Sequence, residues 1–184
     1  EWDVCLLVRL WTSKTFNREI FKSTVLSIWR LPIGAHCKDI RNNLLLFILN
    51  KKGDREWVIR REPWLFDKCL VVMQELNDEI NPSHVVWETC SLRIRVFRLP
   101  LVCLSKQVGR LIGNSIGLTE DIECIKEKGN MGNFFRLRVK VSIKEPLRKG
   151  INLSCGCLGK VWLTFKHKKL PNLCYVFGYL GHME

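Results

Sequence analysis

The sequence predicts an α+β fold in two halves that differ in charge. Short apolar runs with strand-like alternation recur along the 184 residues, and stretches with helical spacing lie between them. Residues 77–83 are polar and acidic and include Pro82, which predicts a linker between the halves. Residues 1–80 carry 13 Lys/Arg against 11 Asp/Glu, whereas residues 81–184 carry 17 against seven. This asymmetry favours a first half that packs and a second half that faces an anion.

The first half contains six predicted elements. In chain order they are a strand at 5–11, a helix with Thr15 as N-cap that ends before Pro32, strands at 35–40 and 44–49, a helix at 51–61 and a strand at 68–76. The buried face of the first helix is expected to carry the residues at helical spacing, namely Phe16, Ile20, Thr24, Val25, Ile28 and Trp29. This order of elements is ferredoxin-like, and RNA-recognition domains also use it. We therefore expect a ferredoxin-like βαββαβ module over residues 1–78.

The second half predicts a strand-rich α+β module over residues 79–170. Its predicted elements are a strand at 92–98, an amphipathic helix at 105–116, a strand at 122–126, a turn at 129–132 and strands at 134–143 and 161–167. The sequence contains no recognisable internal repeat and no low-complexity segment.

Composition excludes several classes of protein. With 47% apolar residues and seven Trp, the chain can form a core and is not a disordered tail. Its longest apolar runs, such as 44–49, fall far short of the roughly 20 residues that a membrane span needs, so no membrane partner is expected. No secretory signal is evident in these residues. The first residue is Glu1 and not Met, which favours a fragment of a longer product whose targeting signal could lie outside it. The nine cysteines are scattered through apolar stretches, which favours reduced thiols and a nuclear or cytoplasmic protein.

Segment 134–144 carries the clearest chemical pattern. Aliphatic residues alternate there with Arg136, Arg138, Lys140 and Lys144. Because alternate side chains of a strand point to opposite faces, one face is expected to be cationic. Cations two residues apart lie about 7 Å apart, close to the phosphate spacing of an extended single strand.

Two further strands repeat this pattern. Segment 161–167 interleaves Trp162 with lysines, and a base stacked on such a ring contributes about 1–3 kcal/mol. If both strands joined strand 92–98 in one sheet, they would form a cationic platform; the alternative is an ordinary sheet with a basic solvent face. The candidate nucleic-acid-binding residues are Arg93, Arg95, Arg136, Arg138, Lys140, Lys144, Lys160, Trp162, Lys166 and Lys168.

Residues 171–184 predict a truncated, degenerate zinc knuckle. Cys174 and His182 have the spacing of two ligands in Cys-x2-Cys-x4-His-x4-Cys, but Phe177 occupies the second ligand position and the fourth falls beyond the last residue. A structural zinc site needs four ligands, so this remnant is not expected to hold zinc.

Catalytic motifs are not evident in the sequence. The four histidines have no nearby acid and nucleophile in a recognisable motif, and carboxylates are sparse in the basic half. Cys155 and Cys157 could supply thiolate ligands from elsewhere in the chain, but their spacing is unusual for a zinc site. We therefore expect a protein that is not an enzyme and that holds no cofactor.

Several short motifs share their order and spacing with a known family. They are Asn-Leu-Leu-Leu-Phe at 43–47, Glu-Pro-Trp-Leu-Phe-Asp at 62–67, Leu-Val-Val at 70–72, Val-Phe-Arg-Leu-Pro-Leu at 96–101, Leu-Ile-Gly-Asn-Ser-Ile-Gly at 111–117, Phe-Arg-Leu-Arg-Val at 135–139, and the segments 169–174 and 178–182. The pattern resembles a plant family of N-terminal domains of unknown function that precede a zinc knuckle in gag-like and LINE-type retrotransposon (reverse-transcriptase-related) proteins. The resemblance implies nucleic-acid binding, and zinc binding in intact relatives. Phe177 departs from the second Cys of the family, and Glu62 stands where Gly is usual.

These observations lead to two functional hypotheses. In the first, the second half binds single-stranded RNA or DNA without strong sequence preference, with the cations on phosphates and Trp162 as a stacking surface. In the second, the chain is a protein-interaction or assembly module that self-associates through its nearly neutral first half. A large exposed apolar patch on that half would favour the second hypothesis.

Overall fold

The structure is a computed structural model that describes residues 2–41, 43–77, 80, 84–126, 129, 132–171 and 178–180. The chain divides into two compact units between Glu88 and Thr89. The expected boundary after residue 78 differs because Ile80, Val85 and Trp87 pack on the first unit. Within the described residues, no helix is long and apolar enough to cross a membrane.

The first unit has a ferredoxin-like fold. Its elements are β1 (Cys5–Trp11), α1 (Arg18–Trp29), β2 (Ala35–Arg41), β3 (Leu44–Leu49), α2 (Lys52–Arg60), β4 (Trp64–Phe66) and β5 (Cys69–Glu75). Its antiparallel sheet has the strand order β2-β3-β1-β5-β4. Apart from the short edge strand β4, which was not predicted, this is the βαββαβ arrangement expected from the sequence.

Helix α1 begins and packs differently from the prediction. Asn17 is the N-cap, because its side-chain oxygen accepts hydrogen bonds from the backbone N–H groups of Glu19 and Ile20 at 3.0 and 3.1 Å. Ile20 is 56% exposed, whereas Phe21 is fully buried. The expectations of a Thr15 cap and a buried Ile20 were therefore wrong, because the buried stripe starts one residue later than predicted.

Both faces of the first sheet are covered. One face packs on the two helices through a buried cluster that comprises Leu6, Val8, Leu10, Phe21, Val25, Trp29, Phe47 and Val58. The other face carries Cys5, Leu7 and Leu44. The chain after β5 lies against these residues through Leu76, Ile80, Val85 and Trp87, which shield them from water.

The second unit contains one helix and five strands. They are β6 (Thr89–Phe97), α3 (Lys106–Asn114), β7 (Leu118–Ile125), β8 (Phe134–Ser142), β9 (Gly150–Ser154) and β10 (Lys160–Lys168). The short strand β9 was not predicted. All pairings in its sheet are antiparallel, and the strand order is β7-β8-β6-β10-β9.

The two units repeat one topology. The order β7-β8-β6-β10-β9 follows the same path as β2-β3-β1-β5-β4 in the first unit, including the short edge strand that pairs with the last strand. The second unit lacks a counterpart of α2, since residues 143–149 form no helix. The chain therefore repeats its fold without a recognisable repeat in its residues, and the expectation of no internal repeat was wrong for the fold.

Helix α3 covers one face of the second sheet at close range. The apolar side chains on this face are buried, and they include Leu92, Ile94, Val96, Phe135, Leu137, Val139, Leu163 and Phe165. A side chain at Gly109 would meet Ile122 and Phe135, and one at Gly113 would overlap the hydroxyl of Thr119. Small residues at these two helical positions thus allow α3 to approach β7 and β8.

This close approach predicts that replacing a glycine of α3 with alanine destabilises the protein, which is the opposite of the usual effect in a helix. Alanine normally stabilises a helix interior by about 0.5–1 kcal/mol relative to glycine. Because the added methyl group overlaps Thr119, we expect Gly113→Ala to lower the free energy of unfolding by about 1–3 kcal/mol, as overpacking does. Urea unfolding followed by circular dichroism measures the change.

Gly53→Ala in α2 is the matched control, because a methyl group there would contact nothing. It should leave the protein as stable as before or slightly more stable. Equal stability changes for the two variants would contradict the packing of α3.

Candidate nucleic-acid interface

The three basic strands predicted from the sequence are neighbours in the second sheet. Strand β6 pairs with β8 on one side and with β10 on the other. Arg95 lies opposite both Arg136 and Lys166, and Arg93 lies opposite both Arg138 and Lys168. Two rows of three cations therefore cross the sheet on the face opposite to α3. Adjacent cations of a row are on strands about 4.8 Å apart, and the rows are about 7 Å apart.

We call this surface the basic face and define it by the two rows together with Phe97, Phe134 and Trp162. Most of its polar side chains are exposed: Arg93, Arg136, Lys166 and Lys168 are exposed, and Arg95 is half-buried. Residues 89–180 carry 17 Lys/Arg against five Asp/Glu, so the basic face lies on the more strongly charged unit.

An aromatic pair adjoins the first row of cations. Phe97 of β6 and Phe134 of β8 stack with ring centroids 5.2 Å apart. The guanidinium carbons of Arg95 and Arg136 each lie 5.7 Å from the Phe134 centroid, and Lys166 Nζ lies 5.2 Å from the Phe97 centroid. Phe134 is buried beneath these groups, whereas Phe97 stays partly accessible. The rings therefore hold three cations in place, and Phe97 offers a surface for a ligand.

Trp162 extends the basic face toward the edge strand β9. Its side chain is on the same face of β10 as Lys166, and it is 48% exposed. A side chain at Gly150 would overlap the indole ring, which shows that the ring lies across the backbone of β9. The ring is thus supported from below and accessible from above, as a stacking surface requires.

Two of the predicted cations are paired with carboxylates of β7. Arg138 Nε donates to Glu120 Oε2 at 2.7 Å, and Arg136 Nη1 donates to Glu123 Oε2 at 3.5 Å. The Arg138 pair is the more shielded, because its side chains are only 16% and 28% exposed. These pairs could not be predicted from the sequence, since they depend on the position of β7 beside β8.

The remaining predicted residues lie at the margins. Lys140 is exposed near the end of β8, and Lys160 is the first residue of β10. Lys144 follows the end of β8 and is outside the sheet. Cys174 and His182, the remnant of the zinc knuckle, are outside the described residues.

His167 does not contribute to the cationic rows. It lies opposite Ile94 of β6, on the face that α3 covers. Burial lowers the pKa of this imidazole, so it is neutral at pH 7.

Cys103 and Cys155 form a buried thiol pair. Cys103 Sγ donates to Cys155 Sγ at 2.8 Å, and this hydrogen bond together with burial raises the pKa of Cys103 to about 11. Cys157, two residues further along the chain, is exposed. Among the described residues, no group of three or more His, Cys, Asp or Glu side chains is arranged to hold a metal ion.

A family model described as "Domain of unknown function (DUF4283)" matches residues 1–84. The match coincides with the ferredoxin-like first unit and covers less than half of the chain. It agrees with the expected resemblance to a family of unknown function, while the zinc knuckle and the retrotransposon, plant and gag-like context stay predictions. No curated protein matches the chain.

Two solved structures that resemble the chain are both complexes with RNA. One is the RNA binding domain of Hrp1 in complex with RNA, with a TM-score of 0.35, 7% identity, and coverage of 76% of this chain and 81% of that one. The other is a Sxl-lethal protein/RNA complex, with a TM-score of 0.32, 11% identity, and coverage of 89% and 98%. At these TM-scores the fold assignment rests on the strand order and register of this chain.

The described cysteines differ in exposure enough to be distinguished chemically. Because the thiolate is the reactive form, we expect iodoacetamide to alkylate exposed Cys157 about tenfold or more faster than Cys103 in the native protein. Peptide mapping by mass spectrometry measures both rates, and labelling in urea should make them equal. Equal rates in the native protein would contradict the buried thiol pair.

Proposed function

We propose that this protein binds single-stranded RNA or DNA, without catalysis and with little sequence preference, through the basic face. The observation that carries the proposal is the register that aligns Arg136, Arg95 and Lys166 in one row and Arg138, Arg93 and Lys168 in the next. A sequence-tolerant binding surface for single strands combines cations that follow the backbone with aromatic rings on which bases stack. The basic face contains both.

The electrostatic repulsion between aligned cations of the two rows supports an anionic ligand. Like charges directly opposite each other destabilise an antiparallel sheet. The phosphates of a bound strand would offset this repulsion, and binding would release the counterions condensed on the nucleic acid. A surface that served only to keep the protein soluble would gain nothing from this alignment of like charges.

The aromatic residues support a single strand over a duplex. Trp162 and Phe97 are both at least partly accessible on the basic face. Bases of a single strand are free to stack on such rings, whereas those of a duplex are already stacked on one another.

The wider context is part of the proposal. Reduced thiols favour a function in the nucleus or cytoplasm. The resemblance to gag-like retrotransposon proteins favours self-association as a further property. Among the described residues of the first unit, the exposed large apolar side chains lie at separate places along the chain and are Trp2, Ile20, Ile33, Ile40 and Val86. They do not favour the assembly module over nucleic-acid binding.

Removing three cations of the basic face tests the proposal. We expect Arg95→Gln/Lys166→Gln/Lys168→Gln to reduce affinity for a fluorescent single-stranded oligonucleotide about 100-fold at 0.1 M salt, because each phosphate contact contributes about 0.7 to the salt slope. The slope of log K against log salt should fall by about 2. Fluorescence anisotropy across a salt series measures both quantities.

Lys14→Gln/Lys38→Gln/Lys68→Gln is the matched control, since it removes the same charge from exposed positions of the first unit. Its salt slope should match that of the wild type. If the wild type fails to bind, or if both triple variants bind equally well, the proposed function is wrong and the assembly module becomes the better hypothesis.

A second prediction isolates base stacking. We expect Trp162→Leu to lose about 5-fold to 100-fold in affinity for an oligonucleotide with bases, which corresponds to about 1–3 kcal/mol for one stacked base. Affinity for an abasic strand of equal length should not change. Trp2→Leu, at a similarly exposed Trp of the first unit, is the control. Equal losses with both strands would count against stacking on Trp162.

A further inference from the structure

The acidic residues of the second unit are concentrated on one edge of its sheet. Residues 89–180 contain five Asp/Glu, and three of them, Glu120, Asp121 and Glu123, are on the edge strand β7. The pairing with β8 shifts between Thr119 and Asp121, so that two consecutive carboxylates are near Arg138. A bulge of this kind redirects a side chain toward the neighbouring strand.

These carboxylates engage the arginines of β8 directly. The short contact between Glu120 and Arg138 is largely shielded from water, so bulk salt screens it only weakly. Glu123 makes a longer and more exposed contact with Arg136. Both arginines therefore already have an anionic partner, and a phosphate would have to displace it.

The side of the basic face away from β7, formed by β6, β10 and β9, carries no acidic residue on these strands. Among the described residues, no carboxylate forms an ion pair with Arg95, Lys166 or Lys168. The edge strand β9, Gly150–Ser154, carries no charged residue, and Trp162 lies across it. The charge of the face thus changes from an acidic edge at β7, through paired arginines on β8, to Arg95, Lys166 and Lys168 on β6 and β10.

We propose that β7 is a boundary of the binding surface, and that a bound strand lies along β6 and β10 without crossing β7. Glu120 and Glu123 withhold Arg138 and Arg136 from the phosphates. This inference rests on the proposed function and adds to it the position and limits of the bound strand.

The length of β10 limits how much nucleic acid is in contact with it. The nine residues of β10 extend over about 30 Å. At about 7 Å per nucleotide, a strand along β10 contacts roughly four nucleotides. Shortening an oligonucleotide below this length should weaken binding. Lengthening it should raise the affinity only in proportion to the number of equivalent positions at which the protein can bind.

Neutralising Glu120 tests the boundary through a gain of affinity. We expect Glu120→Gln to release Arg138 and strengthen binding of a fluorescent single-stranded oligonucleotide about fivefold at 0.1 M salt, with a slope of log K against log salt that is steeper by about 0.7. Glu145→Gln removes the same charge from an exposed position after β8 and should produce neither change. A thermal melt verifies that each variant is folded. If Glu120→Gln does not fold, Glu123→Gln provides a second variant at the more exposed ion pair.

A double-mutant comparison separates the boundary from a purely structural ion pair. Arg138→Gln should cost about fivefold more affinity in the Glu120→Gln background than in the wild type, where Glu120 holds the arginine. If Glu120→Gln behaves like Glu145→Gln or weakens binding, the boundary is wrong while the proposed function stands. If the wild type does not bind the oligonucleotide at all, the proposed function itself fails.

Discussion

Strand β6 lies between two basic neighbours, and its register aligns cation with cation. Arg95, for example, is opposite Arg136 on β8 and Lys166 on β10. Because like charges in these positions repel, other groups must offset the cost. The buried apolar residues under α3 hold the strands in register, the Phe97–Phe134 pair binds three of the charged groups, and the carboxylates of β7 pair with the outer arginines. Among the described residues no carboxylate pairs with Arg95, Lys166 or Lys168, and an anionic ligand there would offset the remaining repulsion.

The same topology serves different purposes in the two units. In the first unit, the sheet face opposite to the helices is apolar, and the chain that includes Ile80, Val85 and Trp87 covers it. In the second unit, the corresponding face is cationic, and Trp162, Lys166 and Lys168 on it are exposed. The charge asymmetry of the sequence thus corresponds to a covered sheet and an accessible sheet of equal strand order.

The strand faces could be predicted from the sequence because alternation is a local property. Segment 134–143 shows it most clearly: its aliphatic residues are buried, and Arg136 and Lys140 are exposed. The edge strands β4 and β9 were missed because they are short and lack alternation. The repeated topology was missed because the units share the order of their elements and not their residues. The pairing of Arg138 with Glu120 depends on a bulge between two strands, which no local pattern reveals.

The central claim is that nucleic acid contacts the accessible sheet of the second unit and not the first unit. Ultraviolet crosslinking of a photoreactive single-stranded oligonucleotide, followed by mass spectrometry of the crosslinked peptides, tests it most directly. The account predicts crosslinks in peptides that contain Phe97 or Trp162, which a large excess of unlabelled strand removes. Crosslinks confined to peptides of the first unit, such as those of β1 or β5, would contradict it.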